Sequence, residues 1–152
     1  MPATRRILLA SDFSRVSTKA FAHAISLART LNARLIVLHV LEPATTAVDA
    51  EYVPPSVWER IEAERQKAGR RRIAAVVARA RRAGVRATPL LLWGDVAGTI
   101  LRTARRERAD LLVLGTHGRS GVAKLILGSV ATRVIAGAPC PVLTVRGRPP
   151  RG

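Results

Sequence analysis

Aromatic residues are nearly missing from this 152-residue chain: Phe, Trp and Tyr together make up 3% of it. Cysteine is reduced to Cys140. A lone thiol excludes an internal disulfide framework and fits a reducing compartment. Cys140 has no His near it in sequence and reads as inert packing. No apolar run reaches the ~18–20 residues of a membrane span. Met1 to Arg6 leads straight into a strand-like segment without a signal-peptide h-region. The expectation is therefore a soluble, cytoplasmic protein with no membrane partner. The three histidines, His23, His39 and His117, lack metal-ligand spacing. Neither G-x4-G-K-[S/T] nor G-x-G-x-x-G occurs. Acidic residues are also scarce, 10 against 26 basic ones, for a net charge of +16. Such a charge attracts polyanions, whether nucleotides, nucleic acid or acidic membranes, without saying which. A general bias towards arginine, which greatly outnumbers lysine, explains it equally well.

What is present is aliphatic. Hydrophobic residues reach 48%, enough for a core without staples. Short Val, Ile and Leu runs alternate with longer amphipathic stretches. Arg6–Ala10 reads as a first strand, ending at Ser11-Asp12. Ser17–Leu31 follows with Ala20, Phe21, Ala24, Ile25, Ala28 and Leu31 at helical spacing, capped by Ser14 or Ser17. Arg34–Leu41 is almost continuously apolar, as a strand buried on both faces should be. Residues 42–56, with Pro43, Pro54 and Pro55, read as a loop. A long helix from about Val57 to Ala83 turns Ile61, Ile73, Val76 and Val77 inward and ends at Gly84. Arg86–Leu92 is a third strand. A helix capped by Asp95 follows, with Val96, Ile100 and Leu101 inward. Asp110–Leu114 is a fourth strand. A glycine-rich loop leads to a helix over about 129–136, and Pro141–Val145 is the last strand. The alternation predicts one α/β domain over residues 1–146, an open parallel sheet with helices on both faces, followed by a polar tail, 147–152. In such sheets ligands bind beyond the carboxyl ends of strands, where the strand order reverses.

The chemistry concentrates after the fourth strand. Gly115-Thr116-His117-Gly118 is followed by nine residues and then by Gly128-Ser129 at a helix start. Gly115 and Gly118 allow positive φ and close backbone approach. The helix start offers N–H groups and a positive dipole end to an anion. The Ser129 hydroxyl adds a donor, and Arg119, Ser120 and Lys124 in the loop suit a polyphosphate. His117 lies among them, facing a phosphate or solvent. The competing reading is a plain turn and a helix cap. His39, inside a strand, reads as a satisfied core histidine rather than a base. The run Arg70-Arg71-Arg72 with Arg79, Arg81 and Arg82 reads as a solvated helix face or as a polyanion surface.

In this position G-x2-G-x9-G-[S/T] resembles the nucleotide signature of the ATP-binding subgroup of the universal stress protein family. Ile7-Leu8-Leu9-Ala10-Ser11-Asp12-Phe13-Ser14 is similar to that family's first strand and its acidic end. Leu38-His39-Val40 resembles its second strand, and Pro139-Cys140-Pro141-Val142-Leu143-Thr144-Val145 its last. The resemblance implies a five-stranded parallel sheet of order 3-2-1-4-5, adenine nucleotide alpha hydrolase-like, and a bound adenine nucleotide, ATP or else ADP or AMP. It implies that Asp12, with Ala10 and Ser11 beside it, meets the nucleoside, and that the Val40 backbone contacts adenine. Leu114, Gly115 and Gly118, with His117 and Arg119, fall on the ribose and phosphate side, and Gly128, Ser129 and Val130 at the phosphate-binding helix start. Asp12 could instead be a helix cap, or help to place a nucleotide-bound Mg2+. Ala10 departs from the pattern, since some ATP-binding members have Pro there.

Three function classes follow. A nucleotide-binding stress-response or signalling module fits best. A slow ATPase or adenylating enzyme is the second, with charge stabilisation but no evident base. A nucleic-acid or polyanion binder is third, with few aromatics for base stacking. The resemblance also implies a homodimer through the last strand, at Val142, Leu143 and Val145, covering an otherwise open sheet edge.

Overall fold

A computed structural model describes residues 3–43, 53–116 and 127–147. Its strands are β1 (Arg6–Ala10), β2 (Arg34–Leu41), β3 (Ala87–Trp93), β4 (Leu111–Gly115) and β5 (Val142–Val145), and its helices α1 (Arg15–Thr30), α2 (Pro55–Arg82), α3 (Val96–Arg106) and α4 (Ser129–Gly137). All strand pairs are parallel, in the order β3-β2-β1-β4-β5. The expected sheet and strand order are therefore the observed ones.

The central strands are buried because helices cover both faces. On one side Ile7, Leu9, Leu35, Val37 and Val113 pack with Ala20, Phe21 and Ala24 of α1 and Ile73 and Val77 of α2. On the other, Leu8, Ile36, Leu38, Leu112 and Leu114 meet Ile100 and Ala104 of α3 and Ala131 and Val134 of α4. Residues adjacent along a strand thus enter different cores, as a two-residue repeat dictates. Both outer strands are sheet edges. β3 carries Pro89, exposed, at a position where a missing N–H does least harm.

Local chemistry sets the helix ends. Ser14 is the cap of α1, its hydroxyl accepting from the Ser17 amide at 3.2 Å, so the helix begins two residues before the predicted Ser17. α2 starts at Pro55, not Val57, because proline at the first helical position is preset for a helix and has no N–H to leave unpaired. Asp95 caps α3, accepting from the Gly98 amide at 2.8 Å. Gly84, at φ +82°, follows α2. Two predicted core residues face solvent instead: Leu31 is 44% exposed, because α1 has ended before it, and Ile61 is 41% exposed. The buried residues of α2 are Gly69, Ile73, Val77 and Ala80, all in its second half, so its first half, Ile61 included, buries no residue. Among the described residues, no helix is long and apolar enough to cross a membrane.

Candidate functional site

β1 and β4 are neighbours, yet the chain leaves β1 for α1 on one face and α4 stands on the other. Diverging connections at such a point open a crevice. A cleft of about 500 Å3 lies there. Phe13, His39 and Gly115 line it from the α1/α2 side, and Ala10, Leu38, Val40 and Leu114 from the α3/α4 side. Ser11, Asp12, Gly128, Ser129 and Val130 line it as well, so nine of the predicted site residues share one cavity. The other three, His117, Gly118 and Arg119, lie outside the described residues.

The β1–α1 turn is held by its own side chains. The Ser11 amide donates to the Leu38 carbonyl at 2.9 Å. The Ser11 carbonyl lies 2.7 Å from His39 Nδ1. A carbonyl only accepts, so Nδ1 carries the proton. His39 is 9% exposed, and its ring centroid is 4.4 Å from that of Phe13. It is the satisfied core histidine expected, although it also faces the cleft. Asp12 Oδ1 accepts from the Ser14 amide at 2.9 Å and from the Ser17 hydroxyl. The helix cap is Ser14 and not Asp12, whose carboxylate ties the turn to Ser14 and to the Ser17 side chain. Phe13, next in sequence, sits at φ +61°, a conformation costing about 1–3 kcal/mol for a non-glycine residue and typical of functional sites.

The opposite wall is the start of α4. The Gly128 amide donates to the Thr116 carbonyl at 2.8 Å, so it is engaged within the protein. Thr132 makes the first helical bond, its amide reaching the Gly128 carbonyl at 3.0 Å. Between them, the amides of Ser129, Val130 and Ala131 have no acceptor among the described residues, and no side chain caps the helix. α1 and α3 are capped by Ser14 and Asp95, and α2 begins with proline. Of these, α4 alone begins with neither a side-chain cap nor a proline, and its first residues line the cleft. A bidentate pair braces that helix, Arg133 Nη1 to Asp95 Oδ1 at 3.0 Å and Nη2 to Oδ2 at 3.2 Å. The hydrogen bond from Arg133, then that from the Gly98 amide, holds the Asp95 carboxyl below its ordinary range.

Gly115 calls for a correction. It is a strand residue without positive φ, and a Cβ there would stand 2.7 Å from Val16 Cγ1. Its lack of a side chain admits Val16 of α1, while the residue still lines the cleft. Cys140 packs against the second core, where burial first and then the Asp110 charge raise its thiol pKa. Among the described residues no cluster of three His, Cys, Asp or Glu could hold a metal.

A family model described as "Universal stress protein family" matches residues 3–146. The chain belongs to the universal stress protein family. A universal stress protein of Thermus aquaticus is 38% identical over 143 residues, covering 93% of this chain and 98% of the relative. The structure of hypothetical protein MJ0577 superposes with a TM-score of 0.85 at 21% identity, covering 97% of this chain and 99% of that one, and has the same fold. A universal stress protein solved in complex with cAMP is similar at 25% identity, with a TM-score of 0.67 and coverage of 95% and 98%.

Reading this universal stress protein only after its strands misses the α2 side of the cleft. Arg65, Ala68, Gly69 and Arg72 line it. A Cβ on Gly69 would lie 3.2 Å from Leu91 Cδ1 and 3.7 Å from His39 Cδ2, so this glycine lets the helix settle onto the sheet beside the cavity. A glycine inside a helical pattern is the signal that could have found this wall.

Proposed function

We propose that this universal stress protein binds an adenine nucleotide in the cleft, ATP foremost with ADP and AMP as related ligands, and serves as a stress-response or signalling module whose output is binding. The observation that carries this reading is the uncapped start of α4: three amide donors with no acceptor among the described residues, at the positive end of a helix that lines a cavity. The other described helices start with a side-chain cap or a proline, and an anionic ligand suits the one start that has neither and lines a cavity. The cAMP held by a relative of the same family supports an adenine nucleotide as that ligand.

In this reading Ser129 and Val130 receive phosphate, with Gly118, His117 and Arg119 on the same side. Ala10, Ser11, Asp12 and Val40 receive the nucleoside, and Leu114 and Gly115 flank the ribose. A nucleotide-bound Mg2+ would take its oxygens from the phosphates, with Asp12 as the carboxylate at hand. Binding is favoured over turnover because Asp12 Oδ1 and His39 Nδ1 are both engaged in holding the β1–α1 turn. The module is placed in the cytoplasm as a homodimer through the β5 edge.

Titration calorimetry with ATP, AMP and GTP, together with mass spectrometry of small molecules released from freshly purified protein, tests the reading. Adenine nucleotides binding at micromolar or better, with GTP weaker, is the expected result. Protein that neither carries nor binds a nucleotide would sink it.

A further inference from the structure

The cleft has a second basic wall, built from α2. Arg72 places its guanidinium carbon 5.7 Å from the centre of the Phe13 ring. Arg65 sits 5.5 Å over the Trp93 ring and donates to the Glu42 carbonyl at 2.8 Å. Both line the cavity. Stacking on a ring orients a guanidinium while leaving its N–H edge for another acceptor. The ion pairs among the described residues are Arg106–Glu107 and Arg133–Asp95, and neither Arg65 nor Arg72 is in one, with Asp12 and Glu42 the carboxylate residues that line the same cavity. Between the walls lies the carboxyl end of β1, with Asp12.

From this arrangement we infer that the cleft selects a ligand with two separate anionic groups: an adenine nucleotide whose 5′-phosphate meets the start of α4 while a second phosphate, on the far side of the ribose, meets Arg72. This rests on the nucleotide reading above. Positive charge on two walls of one cleft favours a ligand with charge at both ends, and a monophosphate satisfies only one of them. Phe13 explains itself in the same terms. Its strained φ of 61° holds the ring where it meets both His39 and Arg72, which sets the guanidinium over the β1–α1 turn.

The test is calorimetric binding of AMP and of adenosine 3′,5′-bisphosphate to the full chain, to Arg72→Ala, to Arg72→Lys and to Arg82→Ala. Arg82 lies at the far end of α2, is exposed, and controls for net charge. Wild type is expected to prefer the bisphosphate by at least ~tenfold, the worth of one charge-assisted contact. Arg72→Ala should cut that preference to within about threefold by weakening the bisphosphate more than AMP, Arg72→Lys should keep part of it, and Arg82→Ala should leave it intact. AMP binding with no preference for the bisphosphate overturns the inference and leaves the nucleotide reading standing. So does an equal loss in Arg72→Ala and Arg82→Ala, which would assign the preference to the overall field. Binding of neither compound removes both.

Discussion

The Gly128 amide donates to the Thr116 carbonyl at 2.8 Å, and this one bond joins the end of β4 to the start of α4. It also determines which amides of the helix start remain for a ligand. Gly128 is used up, and Ser129, Val130 and Ala131 follow.

Ser129→Pro isolates that role. Ser129 is the first residue of α4, and Gly128 before it has φ −61° and ψ 158°, a backbone a following proline accepts. The substitution deletes the Ser129 amide and hydroxyl while keeping the helix. Urea denaturation should show a change within about 1 kcal/mol, and calorimetry an ATP affinity lower by ~10–100-fold, since donors to charged groups are worth about 1.5–3 kcal/mol. Unchanged affinity would show that phosphate does not sit on α4.

Gly115→Ala should destabilise the fold with or without ligand, because the new methyl meets Val16 Cγ1. Overpacking of this kind costs about 1–3 kcal/mol. Trimming the obstacle in Gly115→Ala/Val16→Ala should make the double mutant more stable than the sum of the single changes predicts. Additive effects in denaturation would mean that the contact is not the cause.

The Asp95–Arg133 pair makes the bracing of α4 dependent on pH. The Asp95 pKa is lowered in the folded state from 3.8. The unfolded chain therefore binds this proton more readily, and the stabilisation is present above about pH 4 and disappears as pH falls through the lower folded value. Asp95→Asn keeps a capping side chain and loses the charge. Its denaturation midpoint should lie below that of wild type at pH 7, and the two should converge in the most acidic conditions where both remain folded. A difference that persists there would place the effect in the cap.

The β5 edge predicts the assembly state. Val142 and Leu143 are only half-buried, whereas Val145 is 8% exposed and belongs to the first core. A partner would therefore contact Val142 and Leu143 and not Val145. Light scattering at micromolar concentration should give twice the 16.4 kDa chain mass. Val142→Lys should shift that mass towards the monomer without unfolding the chain, since charge on an edge strand blocks pairing. A monomeric wild type would refute the assembly.

Sequence alone determined the elements and the sheet class, because those follow from short-range rules. The run Leu35–Leu41 reports burial on both faces, and Asp95 and Gly84 mark helix ends through capping and φ preference. The family signature also pointed to the crevice where nine of the expected residues meet, since strand carboxyl ends at a switch point are a property of topology. Tertiary structure decided the rest. Whether an amide is free depends on what folds against it, and no local pattern shows that Thr116 would engage Gly128 or that Asp12 would be shared with Ser14 and Ser17. The same holds for Gly115, whose missing side chain admits Val16 from another element, and for Arg65 and Arg72, more than fifty residues beyond β1 yet on the wall facing its end. Burial and hydrogen bonding are properties of pairs brought together in space, and such pairs exist only once the chain has folded.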